Sequence, residues 1–499
     1  MSDKNVTELD RVITTKGYAI KKSILTGKQI EELRLELTAK PKVPDAFQKM
    51  TASFEIYRES ATRFYIPRQY GIKKFGIADA NIVPDGNGLP DNIEFIGNPF
   101  DYQIAIINKF FEAGCNGLLC VPCGRGKTFM ALNIAVRLGK RFLIIVDKEF
   151  LLNQWKDEIQ AFCKNIRIGV LQGPRIDIDA DKYDCTICML QTLCSREFPS
   201  NFFNEYGFTI FDECHHLGAV YFSKVLQLVQ TKWQLGLSAT PQREDGLMSV
   251  FTAYLGEPVY WEKKREKDDG VYIHAIQYKT TDADFNEIPL DWRGKPVMAT
   301  LLNKISEWEP RNIRIAELLF EYSADNRRQI IVLSDRKKQL DCLEEYILQW
   351  KRPLKEPWKK QVGYYIGGMK DSALKENASG AQIILATYSM ASDALNIKAL
   401  NTAVFATSRK NIIQSSGRIL RQRVSERAID PTIIDIIDPH QPYQSQWRKR
   451  AIYYKSCGYK IGGDMESSKK NKKELLFEDS DSDNDNNEST NGFAFVEES

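Results

Sequence analysis

Short runs of consecutive apolar residues recur through two long stretches of the chain, each followed by a segment of helical spacing. In the first stretch the runs are Gly117 to Val121, Phe142 to Val146, Ile168 to Leu171, Cys185 to Met189 and Thr209 to Phe211, with helix-like segments at Phe129 to Leu138 and Leu151 to Phe162. In the second they are Gln329 to Leu333, Gln382 to Ala386, Thr402 to Ala406 and Thr432 to Ile437, with a helix-like segment at Lys338 to Trp350. Unbroken apolar runs of this length suit strands buried on both faces, and their alternation with helices argues for mostly parallel, doubly wound sheets. The pattern predicts an α/β chain with one lobe at 91–260 and another at 311–463. The mixed pattern at 261–310, which includes the charged stretch Lys263 to Gly270, predicts a connecting segment.

The flanks read differently. Residues 1–90 interleave aromatics and cations, from Phe54 to Arg58, from Phe64 to Tyr70, and at Lys73 and Lys74. That composition fits a nucleic-acid platform, since rings stack on bases and cations hold phosphates. It equally fits a small β-rich accessory domain with solvated lysines; the accessory domain is the expectation, with nucleic-acid contact left open. Pro84 to Gly88 reads as a turn and linker. Beyond Asp464, Lys469 to Lys473 and Glu478 to Asp485 predict a disordered acidic tail at 464–499, chiefly solubilising, whose serines are candidate phosphorylation sites.

Composition narrows the class. A chain of 499 residues is too long for one ordinary core, and such a length corresponds to roughly three domains. The hydrophobic share of 43% and charged share of 27% are those of a globular protein. Net charge is +3, with the acid concentrated in the tail. No apolar run approaches the ~20 residues of a membrane helix, and the first residues carry no secretory h-region. The expectation is therefore neither a membrane nor a secreted protein. The cysteines include the pairs Cys120/Cys123 and Cys185/Cys188, but neither has a second pair or a histidine at zinc-finger spacing. They are expected as reduced, mostly buried thiols.

The chemistry begins at Cys120 to Thr128. A strand, a glycine-bearing turn and a helix in that order form a phosphate-binding loop. Backbone N–H groups of the turn cradle phosphate oxygens, and the helix N-terminus adds its positive end. Pro122, Cys123, Gly124, Arg125 and Gly126 make the turn, with Val121 standing where the general pattern has a first glycine. Lys127 is placed to reach the β- and γ-phosphates and Thr128 to ligate Mg²⁺. Asp212 and Glu213 follow a buried strand, where acids are costly unless they bind something. Ligands of open α/β sheets bind at that strand end, so Asp212 is expected on Mg²⁺ and Glu213 as the group that orients and polarises the attacking water. Ser238, Ala239 and Thr240 at a later strand end suit an element coupling the γ-phosphate to a second lobe. Arg418 and Arg421 fall on one helical face. Presented across a cleft they would stabilise a transferring phosphoryl group, an effect worth ~10³ to 10⁵ in rate in other NTPases. Phe100 to Gln103 combines an aromatic face with an amide suited to an adenine edge.

In order and spacing these motifs resemble those of superfamily-2 helicases over most of the chain. Gln103 is similar to the adenine-reading glutamine, Pro122 to Thr128 to motif I, Asp147 to Trp155 to the motif Ia region, and Asp212 to His215 to the D-E-x-H box. Ser238-Ala239-Thr240 resembles motif III, and Gln414 to Arg421 motif VI. Pro122 to Thr128 and Arg243-Glu244-Asp245 resemble the XPB-type DNA translocases, and Asp435 to Asp438 with Arg448 to Tyr454 the phage and poxvirus branch. Motif V reads Ser392 to Ile397, with Ala394 in place of the usual glycine. The resemblance implies two RecA-like lobes with ATP and Mg²⁺ in the cleft. It makes Lys127, Asp212, Glu213, Gln414, Arg418 and Arg421 catalytic, and His215, Ser238, Ala239 and Thr240 coupling residues. Nucleic acid, held mainly through phosphates, would meet Thr387 and Asn396. It further implies a DNA helicase or translocase of a large cytoplasmic DNA virus, acting in transcription or transcript release beside RNA polymerase or transcription factors. Its expected place is the cytoplasmic viral factory and the virion. An RNA helicase and a catalytically silent nucleic-acid scaffold are the alternatives. A restriction-type translocating subunit would need a nuclease domain, for which the sequence outside the lobes carries no paired-acid pattern.

Overall fold

The computed structural model describes residues 8–41, 53–122, 124–215, 221, 223–239, 246–262, 267–349, 362–393, 397, 399–410, 412 and 427–463. The first lobe is one sheet built from β6 (Asn116–Cys120), β7 (Phe142–Val146), β8 (Ile168–Gln172), β9 (Arg175–Ile176), β10 (Cys185–Met189), β11 (Phe208–Phe211), β12 (Trp233–Ser238) and β13 (Pro258–Trp261). Their order is β9-β8-β10-β7-β11-β12-β6-β13. Every pairing is parallel except the edge pair of β8 with β9. The apolar run at Phe142–Val146 is central, opposing Ile144 to Ile187 on one side and to Ile210 on the other. All five of its residues are buried, so its side chains fill both faces, as an uninterrupted run requires. Among the flanking helices are α3 (Asp101–Glu112), α4 (Lys127–Leu138), α5 (Glu149–Phe162) and α6 (Met248–Leu255).

The second lobe repeats this architecture. Its strands are β14 (Tyr272–Gln277), β15 (Ile330–Ser334), β16 (Val362–Tyr365), β17 (Ile383–Thr387), β18 (Thr402–Phe405), β19 (Thr432–Ile437) and β20 (Lys460–Gly463). They run in the order β16-β17-β15-β18-β19-β14-β20, all parallel. Among its helices are α7 (Met298–Glu307), α8 (Glu309–Ser323), α9 (Lys337–Gln349), α10 (Asp371–Gly380) and α11 (Gln441–Ser456). The two doubly wound parallel sheets expected from the sequence are thus present. The connecting segment is shorter than its expected span of 261–310. Tyr272–Gln277 is a strand between β19 and β20, and α7 packs beside α8 and α9. The second lobe therefore begins near Val271, not at 311. The strand lies next to the sheet edge and mixes buried, half-exposed and exposed positions, which hid it among mixed residues.

At the N-terminus, β1 (Arg11–Thr14), β2 (Gly17–Lys21), β3 (Arg58–Glu59), β4 (Arg63–Ile66) and β5 (Ala80–Asn81) form a sheet ordered β3-β4-β2-β1-β5. Helix α1 (Gly27–Glu36) follows β2 and helix α2 (Arg68–Phe75) follows β4. This unit shares a core with the first lobe, where Tyr18, Ile20 and Phe64 join one apolar cluster with Leu118, Val250 and Phe251. Arg68 is buried in the seam and donates to the carbonyls of Thr231 (2.7 Å) and Lys232 (2.8 Å). The two lobes meet at α5. Phe150 packs against the apolar core of the second lobe, and Asp157 pairs with Lys375 of α10 at 2.9 Å. Among the described residues no helix is long and apolar enough to cross a membrane, and the tail expected at 464–499 lies outside them.

Candidate nucleotide and coupling site

Three adjacent strands deliver the motif residues of the first lobe to one edge. Parallel register sets Ser238 of β12 beside Cys120 of β6, and Phe211 of β11 beside Gly236 of β12. The loops that follow therefore leave the sheet side by side, at its C-terminal edge. The phosphate-loop chain is pinned at its start, where Val121 N–H donates to the Ser238 carbonyl (3.1 Å). It then turns through Gly124 and Gly126, with φ of 84° and 80°. A side chain at Gly126 would be strained by that φ, and its Cβ would meet the Gln103 amide at 2.5 Å. Gly126 caps α4, so Lys127 and Thr128 open the helix at its positive end.

Gln103 is buried behind this loop. Its carbonyl oxygen accepts from Phe100 N–H (3.0 Å) and its amide donates to the Arg125 carbonyl (3.2 Å). The expected adenine-reading edge is thus engaged by backbone, and the side chain braces the loop. Arg125 lies over the Tyr102 ring (4.2 Å) and pairs with Glu262 (3.4 Å).

The acids converge on the lysine. Lys127 Nζ lies 3.5 Å from Glu213 Oε1, with both side chains largely shielded. Asp212 accepts from the Glu213 backbone N–H (3.0 Å) and from the Trp155 indole N–H of α5 (2.9 Å). Burial, then the neighbouring Glu213 carboxylate, pushes the Asp212 carboxyl up to about 6; Lys127 and the indole act the other way. Glu213 has φ of 43°, a left-handed conformation for a residue with a side chain. Such strain, of order 1–3 kcal/mol, persists where the surroundings impose it and clusters at functional sites. His215 bridges to the next strand, with Nδ1 3.1 Å from Ser238 Oγ and 3.4 Å from Glu213 Oε2.

Lys127, Asp212, Glu213, His215 and Ser238 are brought together, with Thr128 half-buried at the first turn of α4 and Ala239 just past β12. Pro122 is the last described residue before the turn, and Cys123 lies outside the described residues, as do Thr240, Arg243 to Asp245, Asn396, Gln414, Arg418 and Arg421. Thr387 ends β17 in the second lobe, its hydroxyl 3.3 Å from that of Ser389. The described cysteines are all free and mostly buried. Burial pushes the Cys120 thiol up to about 12, which suits packing rather than reactivity.

Two residues that the sequence named only within motif resemblances make contacts that sequence reasoning did not foresee. One is Trp155, whose signal was a tryptophan at a core position, since a buried indole N–H needs an acceptor. The other is Asp435, a carboxylate in the otherwise apolar strand β19. It holds Arg450 of α11 through two bonds of 2.8 Å, and Arg450 donates on to Ser408 Oγ and the Arg409 carbonyl, both at 2.8 Å. The chain leading into the motif VI region is therefore fixed from beneath.

Comparison with known proteins agrees with this geometry. Residues 96–243, the nucleotide-binding part of the first lobe, match the family model described as type III restriction enzyme, res subunit. Across 90% of its length the chain is 31% identical to the Acanthamoeba polyphaga mimivirus protein named "Putative ATP-dependent RNA helicase L396", covering 86% of it. It is 27% identical, over 72% of its length and 74% of the relative, to a protein of African swine fever virus (strain Badajoz 1971 Vero-adapted) named as an ATP-dependent RNA helicase in the same way. To the DNA 3'-5' translocase XPB2 of Sulfurisphaera tokodaii it is 27% identical over 46% of its length and 50% of the relative. From the cluster at the sheet edge and the extent of these likenesses, the chain belongs to the superfamily-2 ATP-dependent helicases.

Proposed function

We propose that this helicase is a DNA helicase or translocase of a large cytoplasmic DNA virus, which uses Mg²⁺ and ATP to move along DNA during viral transcription, in elongation or transcript release. The observation that carries the mechanism is the joined cluster Lys127–Glu213–Asp212 with His215 linked to Ser238. Two shielded acids sharing one lysine suit a further cation, because burial raises Asp212 and Glu213 raises it again. Thr128 and Asp212 would hold Mg²⁺, which neutralises phosphate charge when bound. In this reading the Lys127 ammonium takes the β- and γ-phosphates and leaves Glu213. Glu213 then accepts a hydrogen bond from water and draws off its proton as the water attacks. Arg418 and Arg421 stabilise the charge that develops on the transferring group.

The likeness to XPB2 favours DNA and 3′ to 5′ movement. Closing of the lobes on ATP and reopening after hydrolysis would give the steps. DNA held through phosphates would be bound in a salt-sensitive, largely sequence-independent way. RNA polymerase or transcription factors are the expected protein partners, and viral factories and virions the expected places. A second reading, RNA as the substrate, is favoured by the names of the mimivirus and swine-fever relatives. Steady-state ATP turnover without nucleic acid and with single-stranded DNA, duplex DNA and RNA, at low and high salt, separates the two. Stimulation chiefly by DNA is expected; stimulation chiefly by RNA overturns the DNA reading, and no turnover from folded protein overturns both.

A further inference from the structure

Between Gln277 and α7 the chain makes a small hairpin that the nucleotide machinery does not use. Its arms are closed by Val297 N–H to the Pro289 carbonyl (2.8 Å) and Asp291 N–H to the Lys295 carbonyl (2.8 Å), with a bridge of Leu290 to Pro296. The tip is fixed by the Asp291 carboxylate, which accepts from the backbone N–H of Arg293 (2.8 Å) and Lys295 (2.9 Å). Gly294 supplies the positive φ, 74°, that the turn needs. This rigid tip presents Trp292, 84% exposed, with the Arg293 guanidinium over its ring at 4.3 Å.

Trp292 shares with Ile77 the highest exposure among the described large hydrophobic residues, 84%, and the hairpin carries it outward. Its base is not loose. Phe285 is buried against His440 and Trp308, and His440 Nε2 bonds the Phe285 carbonyl at 2.7 Å. Below the hairpin, Asn303 of α7 accepts from Arg336 (2.6 Å), in the loop that leaves the C-terminal end of β15. The hairpin rises from the C-terminal end of β14, and parallel pairing puts that end on the same edge as Thr387 of β17. The two strands are separated by β15, β18 and β19, so they stand about 20 Å apart at ~4.8 Å per strand. One edge thus carries both the expected nucleic-acid contact and a preorganised ring with a cation on it.

We propose that Trp292 and Arg293 form a stacking site for an unpaired nucleobase, placed where a single strand runs along the edge of the second lobe. An aromatic face stacks on any base, and the neighbouring guanidinium adds cation–π and phosphate attraction. This site rests on the nucleic-acid reading above and deepens it by assigning a base contact beside the phosphate contacts.

The test is fluorescence anisotropy with labelled oligothymidylate and oligouridylate, together with matched strands carrying abasic sites, alongside ATP turnover. Trp292→Ala is expected to weaken binding of base-bearing strands about tenfold, at low and high salt alike, while turnover without nucleic acid is unchanged. Trp292→Phe should keep most of the affinity, and wild type should bind abasic strands as weakly as Trp292→Ala binds intact ones. If wild type binds and is stimulated but Trp292→Ala equals it on every strand, the stacking site is overturned and the nucleic-acid reading stands. If wild type neither binds strands nor is stimulated by them, that reading falls and takes the site with it.

Discussion

Glu213, the proposed general base, is held in place at a cost to its own backbone. Its φ of 43° and its closeness to Lys127 and His215 are the work of neighbours, not of local preference. Glu213→Gln keeps the shape and removes the base, so ATP should still bind while turnover falls by about 10²-fold or more; turnover near wild type would refute the assignment. Trp155 acts one step back, through Asp212. Trp155→Phe preserves the packing but removes the indole N–H at 2.9 Å. A hydrogen bond to a charged group contributes about 1.5–3 kcal/mol, so kcat should fall about tenfold, with a raised Mg²⁺ requirement and little change in the KM for ATP. A matching loss in KM would make Trp155 a binding residue instead. The phosphate loop and acid pair were legible because their chemistry demands fixed residue types at short spacing. Trp155 and Asp212 are brought together only by folding, and the Gln103 amide is turned inward by a loop conformation that no residue spacing reveals.

At the scale of elements, the central strands were legible and the edges were not. Phe142–Val146 and Ile383–Leu385 are buried on both faces and read as unbroken apolar runs. Tyr272–Gln277, Val362–Tyr365 and Lys460–Gly463 lie at or next to an edge, each bury half their residues or fewer completely, and blend into polar surroundings. Packing between units was less legible still. The N-terminal sheet is expected to unfold with the first lobe, because Arg68 and the shared core tie them. Arg68→Met should destabilise this joint unit by about 3 kcal/mol in chemical denaturation, since it strands two buried carbonyls. Arg58→Met is the control. Arg58 is exposed and meets Gln227 of the first lobe at 3.0 Å, so its loss should stay within about 0.5 kcal/mol. Equal effects would show that the seam is held by the apolar cluster alone.

In the whole molecule, ATP hydrolysis does mechanical work only if the nucleotide edge of one lobe reports to the other. Under the proposed function Ser238 carries that report. Its carbonyl accepts from Val121 at the start of the phosphate loop, and its hydroxyl meets His215, which in turn lies beside Glu213. The strand continues into the Ala239-Thr240 segment. Meanwhile α5 ties Asp212 through Trp155 and the second lobe through Phe150 and Asp157. The Asp157–Lys375 pair is more than half exposed on both sides, so it contributes at most about 1 kcal/mol and can break and re-form as the lobes move. The buried hydroxyl–imidazole link is different, because it joins the loop of the acid pair to the strand end that pins the phosphate loop. Ser238→Ala leaves the backbone bond to Val121 intact and removes only the bond to His215. Turnover stimulated by nucleic acid should therefore stay within about threefold of wild type, while strand displacement per ATP falls about tenfold or more, a coupling of 1–3 kcal/mol in size. Measuring both rates on one preparation decides the matter. A parallel fall in turnover and displacement would place Ser238 in the hydrolysis step itself, whereas a fall in displacement alone identifies the link through which one lobe drives the other.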